Sequence, residues 1–183
     1  MSTELLIHCC APTLAGIKTG SVYACPYEER ETLLRDLRQL NRAFLPRGLC
    51  ILPLRFGEDR ALLYVFRPAA LEKDLRCPCA QKILSEAGYE DLRVSNCMRR
   101  LIQRLREQGD FPHEIGLFLS YPPEDVQGFI DNGARNYKCV CAWKVYGDEK
   151  KAQRTFDRYK KCTEIYCRSF RAGRKLEDLA VAI

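Results

Sequence analysis

Two short apolar runs separated by a single turn constrain this chain most. Residues 49–56 and 61–66 are rich in Leu, Ile, Val, Tyr and Phe, and Gly57-Glu58-Asp59 lies between them. Runs of this length on either side of turn residues read as a β-hairpin. Pro53 has no N–H to give to a ladder, so its strand belongs at a sheet edge or carries a bulge. The segment before the hairpin is helical in pattern. Leu33, Leu37, Leu40 and Phe44 recur at helical spacing over 28–45, Leu34 and Leu45 widen the stripe, and Pro46 and Gly48 end it.

The rest of the chain extends this mixture. Residues 78–88 predict a helix with Ile83, Leu84 and Ala87 inward. Residues 95–108 predict another, with Cys97, Met98, Leu101, Ile102 and Leu105 inward, Ser95 as its cap and Gly109-Asp110 as its stop. The run 114–121 is apolar on both alternating faces, as a central, doubly covered strand requires. Pro122-Pro123-Glu124-Asp125 opens a helix, with proline and acidic groups in its first turn, and Gly133 ends it. Residues 137–146 alternate as a last strand. A long helix over about 148–171 follows, capped by Asp148, with a seam of Ala152, Phe156, Tyr159, Thr163, Tyr166 and Phe170. The expected fold is α+β or α/β: a single mixed sheet of about four or five strands with helices packed on its faces. With 183 residues, no linker and no internal repeat, the whole chain reads as one domain, 1–183.

Charge and cysteine content narrow the setting. The net charge is +6, and it is not evenly spread. Residues 1–137 are balanced, with 18 basic and 18 acidic side chains, whereas 138–175 hold 12 basic against 4 acidic. That basic segment can attract RNA or an acidic protein partner, and Arg154, Arg158, Lys161 and Arg168 are the candidates to carry it. The first residues lack a secretory pattern, and no stretch approaches the roughly 18 apolar residues of a membrane span. A cytoplasmic protein with reduced thiols is therefore expected, and the 11 cysteines cannot all pair. Their spacings do not make a metal site. Cys77-Pro78-Cys79 is too short for a zinc knuckle, and Cys162 and Cys167 diverge around a helix. No metal or cofactor is expected.

The segment 8–20 holds the most unusual chemistry. Pro12 suits the first turn of a short helix, which would put Cys10 at or near its N-cap. Backbone N–H groups and the helix dipole there would lower the thiol pKa. Of the two histidines, His113 begins the predicted central strand, and a cysteine at a helix start with a histidine at a strand start is a thiol-enzyme arrangement. Glu114 or Asn136 could orient His113, and Lys18 could bind an anionic group.

Three stretches carry a resemblance. They are Cys10-Ala11-Pro12-Thr13-Leu14-Ala15-Gly16-Ile17-Lys18, the block Pro112-His113-Glu114-Ile115-Gly116-Leu117-Phe118-Leu119-Ser120-Tyr121-Pro122-Pro123-Glu124-Asp125-Val126, and Asn136-Tyr137-Lys138-Cys139 with Trp143-Lys144-Val145-Tyr146-Gly147-Asp148. Over nearly its whole length the chain resembles the bacterial family catalogued as domain of unknown function 3793, marked by a Pro-His-Glu and a Leu-Gly-Tyr-Pro motif. Ser120 stands where that second motif has glycine. The resemblance implies that His113, Glu114, Tyr121 and Pro122 belong to the family pattern, and it brings no activity with it.

The function is thus unassigned by sequence, and three expectations follow. The first is a thiol-dependent acyl transfer or hydrolysis, with Cys10 as nucleophile, His113 as base and Glu114 as its orienting group. The second is a non-catalytic module for a small anionic ligand, with Lys18, Arg67 and Tyr121 as binding residues. The third is an interaction protein that docks through its basic C-terminal helix.

Overall fold

The computed structural model describes residues 2–107 and 111–183. In chain order the elements are α1 (Thr3–Leu14), β1 (Gly20–Pro26), α2 (Arg30–Phe44), β2 (Cys50–Phe56), β3 (Arg60–Phe66), α3 (Pro68–Leu75), α4 (Pro78–Glu86), α5 (Val94–Arg106), α6 (Ile115–Phe118), α7 (Pro123–Asp131), β4 (Cys139–Val140), β5 (Lys144–Val145), α8 (Glu149–Arg171) and α9 (Leu176–Leu179). They form two compact units, one of residues 1–69 with 159–183, the other of residues 70–158.

The first unit is built on the predicted hairpin. β2 and β3 pair antiparallel, and β1 joins the other side of β3, giving the order β1-β3-β2. Pro53 lies on an edge strand, and the register shifts between Pro53 and Arg55, so both accommodations open to a strand proline are used. The α2 stripe, Leu33, Leu37, Leu40 and Phe44, is buried against Ile51, Leu63 and Val65 in one core. Leu6, Ile7, Cys10 and Leu14 of α1 share that core, as do Leu176, Leu179 and Ala180 from the C-terminal end.

Arg67 knits this unit together. It is 4% exposed. Its Nε donates to Thr13 O (2.8 Å), Nη2 to Leu14 O (2.7 Å) and Val181 O (2.9 Å), and Nη1 to Arg47 O (3.2 Å). Carbonyls at the end of α1 lack helical partners, and a buried guanidinium satisfies them while they offset its charge.

The second unit is mostly helical. Leu71, Leu84, Leu101, Phe118, Val126 and Val145, from six of its elements, are buried. α5 begins at Val94, with Arg93 rather than Ser95 at the cap position and no side-chain capping bond. The expected stop at Gly109-Asp110 lies outside the described residues. α7 and α8 form where the acidic starts place them. Asp148 Oδ1 accepts the Lys151 N–H at 3.0 Å, which caps α8 as its sequence suggests.

Three expectations about strands are corrected. The chain has a three-stranded and a two-stranded sheet in place of one sheet of four or five strands. Residues 114–121 are not a central strand: Ile115–Phe118 is one helical turn, followed by a bend with Ser120 at φ 61°. All four residues of that turn are buried, so the apolar run reflects burial on every side, which a helix and a covered strand produce alike. Residues 137–146 fold back on themselves, pairing Cys139 with Val145 and Val140 with Lys144. The Cys141 N–H donates to Trp143 O at 3.0 Å and closes that bend.

Candidate functional site

The site with the most converging features lies in the second unit and is organised by Asp125. This carboxylate sits in the first turn of α7 and is 3% exposed. Its Oδ1 accepts the N–H groups of Tyr146 and Gly147, each at 2.7 Å, and its Oδ2 accepts Trp143 Nε1–H at 2.7 Å. One side chain thus fixes the β4–β5 hairpin and the segment leaving it to the start of α7. Gly147 permits the approach, since a Cβ there would lie 2.9 Å from Glu124 Cγ and 3.3 Å from Asp125 Oδ1. Gly128 is under the same demand from Tyr146, 2.5 Å from the atom a Cβ would add.

The indole so held forms a wall. Trp143 stacks on Tyr121, with ring centroids 4.9 Å apart and planes 25° from parallel. Beside this pair is a cavity of about 360 Å³, whose lining includes His113, Gly116, Tyr121, Phe129, Trp143 and Lys144. That volume falls within the range of small-molecule sites. His113 meets Phe129 edge-on at 4.9 Å. Gly116 leaves room for the wall, because a Cβ would lie 2.8 Å from Val126 and 3.1 Å from Tyr121. Lys144 is half-buried; its Nζ donates to Ala134 O at 2.8 Å and lies 5.7 Å from the Phe129 centroid and 4.8 Å from that of Tyr137.

Glu114 belongs to the same motif as His113 but has a different setting. It is 2% exposed and accepts the Tyr89 hydroxyl at 3.0 Å. Arg104 Nε lies 2.6 Å from Glu114 Oε1, an ion pair whose N–H is not aimed at the oxygen. Burial, and next the Glu114 charge, push the Tyr89 phenol up. Glu114 therefore ties α6 to α5 and to the turn after α4.

Cys10, Lys18 and Arg67 belong to the first unit, so Cys10 and His113 are in different units. Cys10 is not at a helix N-cap. α1 begins at Thr3, capped by Ser2, and Pro12 lies in its last turn rather than its first. Cys10 is fully buried, and burial, with Cys9 adding to it, pushes its thiol up. That is the opposite of an activated thiolate. The start signal was present in Ser2 and Glu4, a cap followed by an acidic first turn. Lys18 is electrostatically coupled to Cys10, and burial lowers its ammonium to about 8. Its Nζ is 5.8 Å from the Tyr159 ring centroid. Four of the five N–H groups of Arg67 go to backbone carbonyls.

Sequence reasoning therefore reached His113 and Tyr121 but passed over Asp125, Phe129, Trp143 and Lys144. An aspartate in a first helical turn reads as a dipole partner, and nothing local shows that it will meet a tryptophan 18 positions on. On the C-terminal helix Arg154, Arg158, Lys161 and Arg168 are all exposed.

The model of the family described as protein of unknown function (DUF3793) matches residues 6–180. The chain belongs to this family. No curated protein and no solved structure gives a significant match. The His113–Tyr121–Trp143 cavity is thus a feature of a DUF3793 member, and two of its walls come from the motifs that carry the resemblance. Among the described residues, no helix is long and apolar enough to cross a membrane, and no group of three or more His, Cys, Asp or Glu could hold a metal ion.

Proposed function

We propose that this DUF3793 protein is a binding module that takes a small, largely apolar ligand into the cavity of its second unit. The observation that carries this reading is the convergence of His113 and Tyr121 on one cavity beside a tryptophan whose orientation is fixed by a buried carboxylate. Pre-set aromatic walls with few polar groups favour holding a ligand over transforming it. Asp125, the one carboxylate among the described lining residues, has both oxygens occupied by donors. Among the second unit's lining groups no nucleophile stands against a base, as covalent catalysis needs. The first unit's Cys10 supports a thiol mechanism less well, because its burial favours the protonated thiol.

Trp143 is the chain's only tryptophan, so its emission reports on the cavity wall. Nitrobenzene, a flat neutral quencher, should quench it saturably, and Phe129→Ala should raise the apparent Kd severalfold. Quenching that stays linear with concentration, at the same slope in the variant, would be collisional and would remove the proposal.

A further inference from the structure

We infer that the ligand of this cavity is a planar aromatic anion, its ring on the Tyr121–Trp143 wall and its charge beside Lys144. This rests on the binding reading above and adds the ligand's shape and charge.

The shape comes from the walls. Tyr121 and Trp143 are stacked on each other, 25° from parallel, and both line the space, so a flat ring can extend the stack on its outer face or meet its edges. Aromatic rings favour offset stacking or edge contacts with a flat partner. Phe129, held edge-on to His113, lines the same space.

The charge follows from the titratable groups that line the space among the described residues, Asp125, Lys144, His113 and Tyr121. Asp125 is buried, and its two oxygens already accept three short hydrogen bonds. Its charge is compensated, and it has little left to offer a cationic ligand. Lys144 is the reverse case. Among the described residues no carboxylate lies within ion-pair distance of its ammonium, and Ala134 O takes one of its three N–H groups. Two N–H groups of this half-buried lysine thus remain for an anionic ligand, and a charge-assisted hydrogen bond to them is stronger than a neutral one. A cationic ligand would meet this like charge. It would also find the rings of Phe129 and Tyr137 already facing a cation. The His113 ring nitrogens have no hydrogen-bond partner among the described residues, so a ring N–H can add to the same anion.

Three probes with one ring separate charge from shape: nitrobenzene, 4-nitrobenzoate and 4-nitrobenzylammonium, each titrated against Trp143 emission in the full chain. The carboxylate should bind about tenfold tighter than nitrobenzene, and the ammonium more weakly than either. Lys144→Met should erase the carboxylate preference, read as the ratio of the nitrobenzene and carboxylate Kd values within each variant, while Lys144→Arg should keep it. Far-ultraviolet circular dichroism and the nitrobenzene Kd show whether each variant is folded. If nitrobenzene saturates but the carboxylate binds no tighter, or if Lys144→Met keeps the preference, the anion inference is overturned and the binding module stands. If none of the three saturates, the binding module itself is overturned.

Discussion

Ser120 occupies a backbone conformation that its own side chain resists. Its φ is 61°, in the left-handed region where a Cβ crowds the neighbouring carbonyl. The bend it makes carries the chain from α6 into Tyr121, so the cavity wall depends on it. The family resemblance implies a glycine at this position, and the observed φ is one that favours glycine. Left-handed backbone costs an ordinary residue about 1–2 kcal/mol, and glycine returns part of that through its greater freedom when unfolded. Ser120→Gly should therefore stabilise the protein by about 0.5 kcal/mol. Urea unfolding should show a higher midpoint at unchanged m-value; a lower midpoint would mean that the Ser120 side chain contributes more than its backbone costs.

At the scale of elements, the β4–β5 hairpin is too short to persist alone. It has two residue pairs, where an isolated two-stranded ribbon is marginal even when longer. Asp125 supplies what the ladder lacks, by accepting two backbone N–H groups just beyond β5 and the indole N–H within the bend. Asp125→Asn keeps the shape but turns one acceptor into a donor. Whichever way the amide lies, at least one buried N–H then faces an NH₂ group. The cost should be about 2–3 kcal/mol, read as a lower urea midpoint together with a red-shifted Trp143 emission as the indole reaches water. The same element shows where sequence reading stops. Helices α2, α4, α5 and α8 were legible because apolar positions recur at a fixed spacing along them. The hairpin was not, because residues 137–146 alternate well enough for one strand, and the bend is set by Asp125 from outside the segment. α6 was misread for a related reason, since four consecutive buried residues carry no period at all.

For the whole molecule, residues far apart in the chain close the first unit's core. α1 and α9 both contribute to it, although 170 positions separate Leu6 from Leu176. This closure had little sequence signal: residues 176–183 form no long amphipathic pattern, and Arg67 looked like a ligand-binding arginine because its carbonyl partners leave no trace in side-chain identity. The candidate site was half legible for a matching reason. Motif resemblance pointed to His113 and Tyr121, while the aspartate and lysine that shape their surroundings depend on contacts across the unit. The role assigned to the C-terminal residues is directly testable. Removing 176–183 takes Leu176, Leu179 and Ala180 out of the core. It also removes Val181 O from Arg67, Ala180 O from Arg47 at 2.8 Å, and the Val181 N–H to Leu14 O bond at 3.0 Å. Two buried leucines are worth about 3–6 kcal/mol, and a buried guanidinium with an unmet N–H adds to the loss. That sum is a large share of the 5–15 kcal/mol typical of a folded domain. The truncated chain should therefore show an urea midpoint lowered by at least a third, and Arg67→Met in the full-length chain should reproduce a smaller part of the loss. A truncated chain that unfolds at the full-length midpoint would show that the terminal residues cover the core without holding it closed.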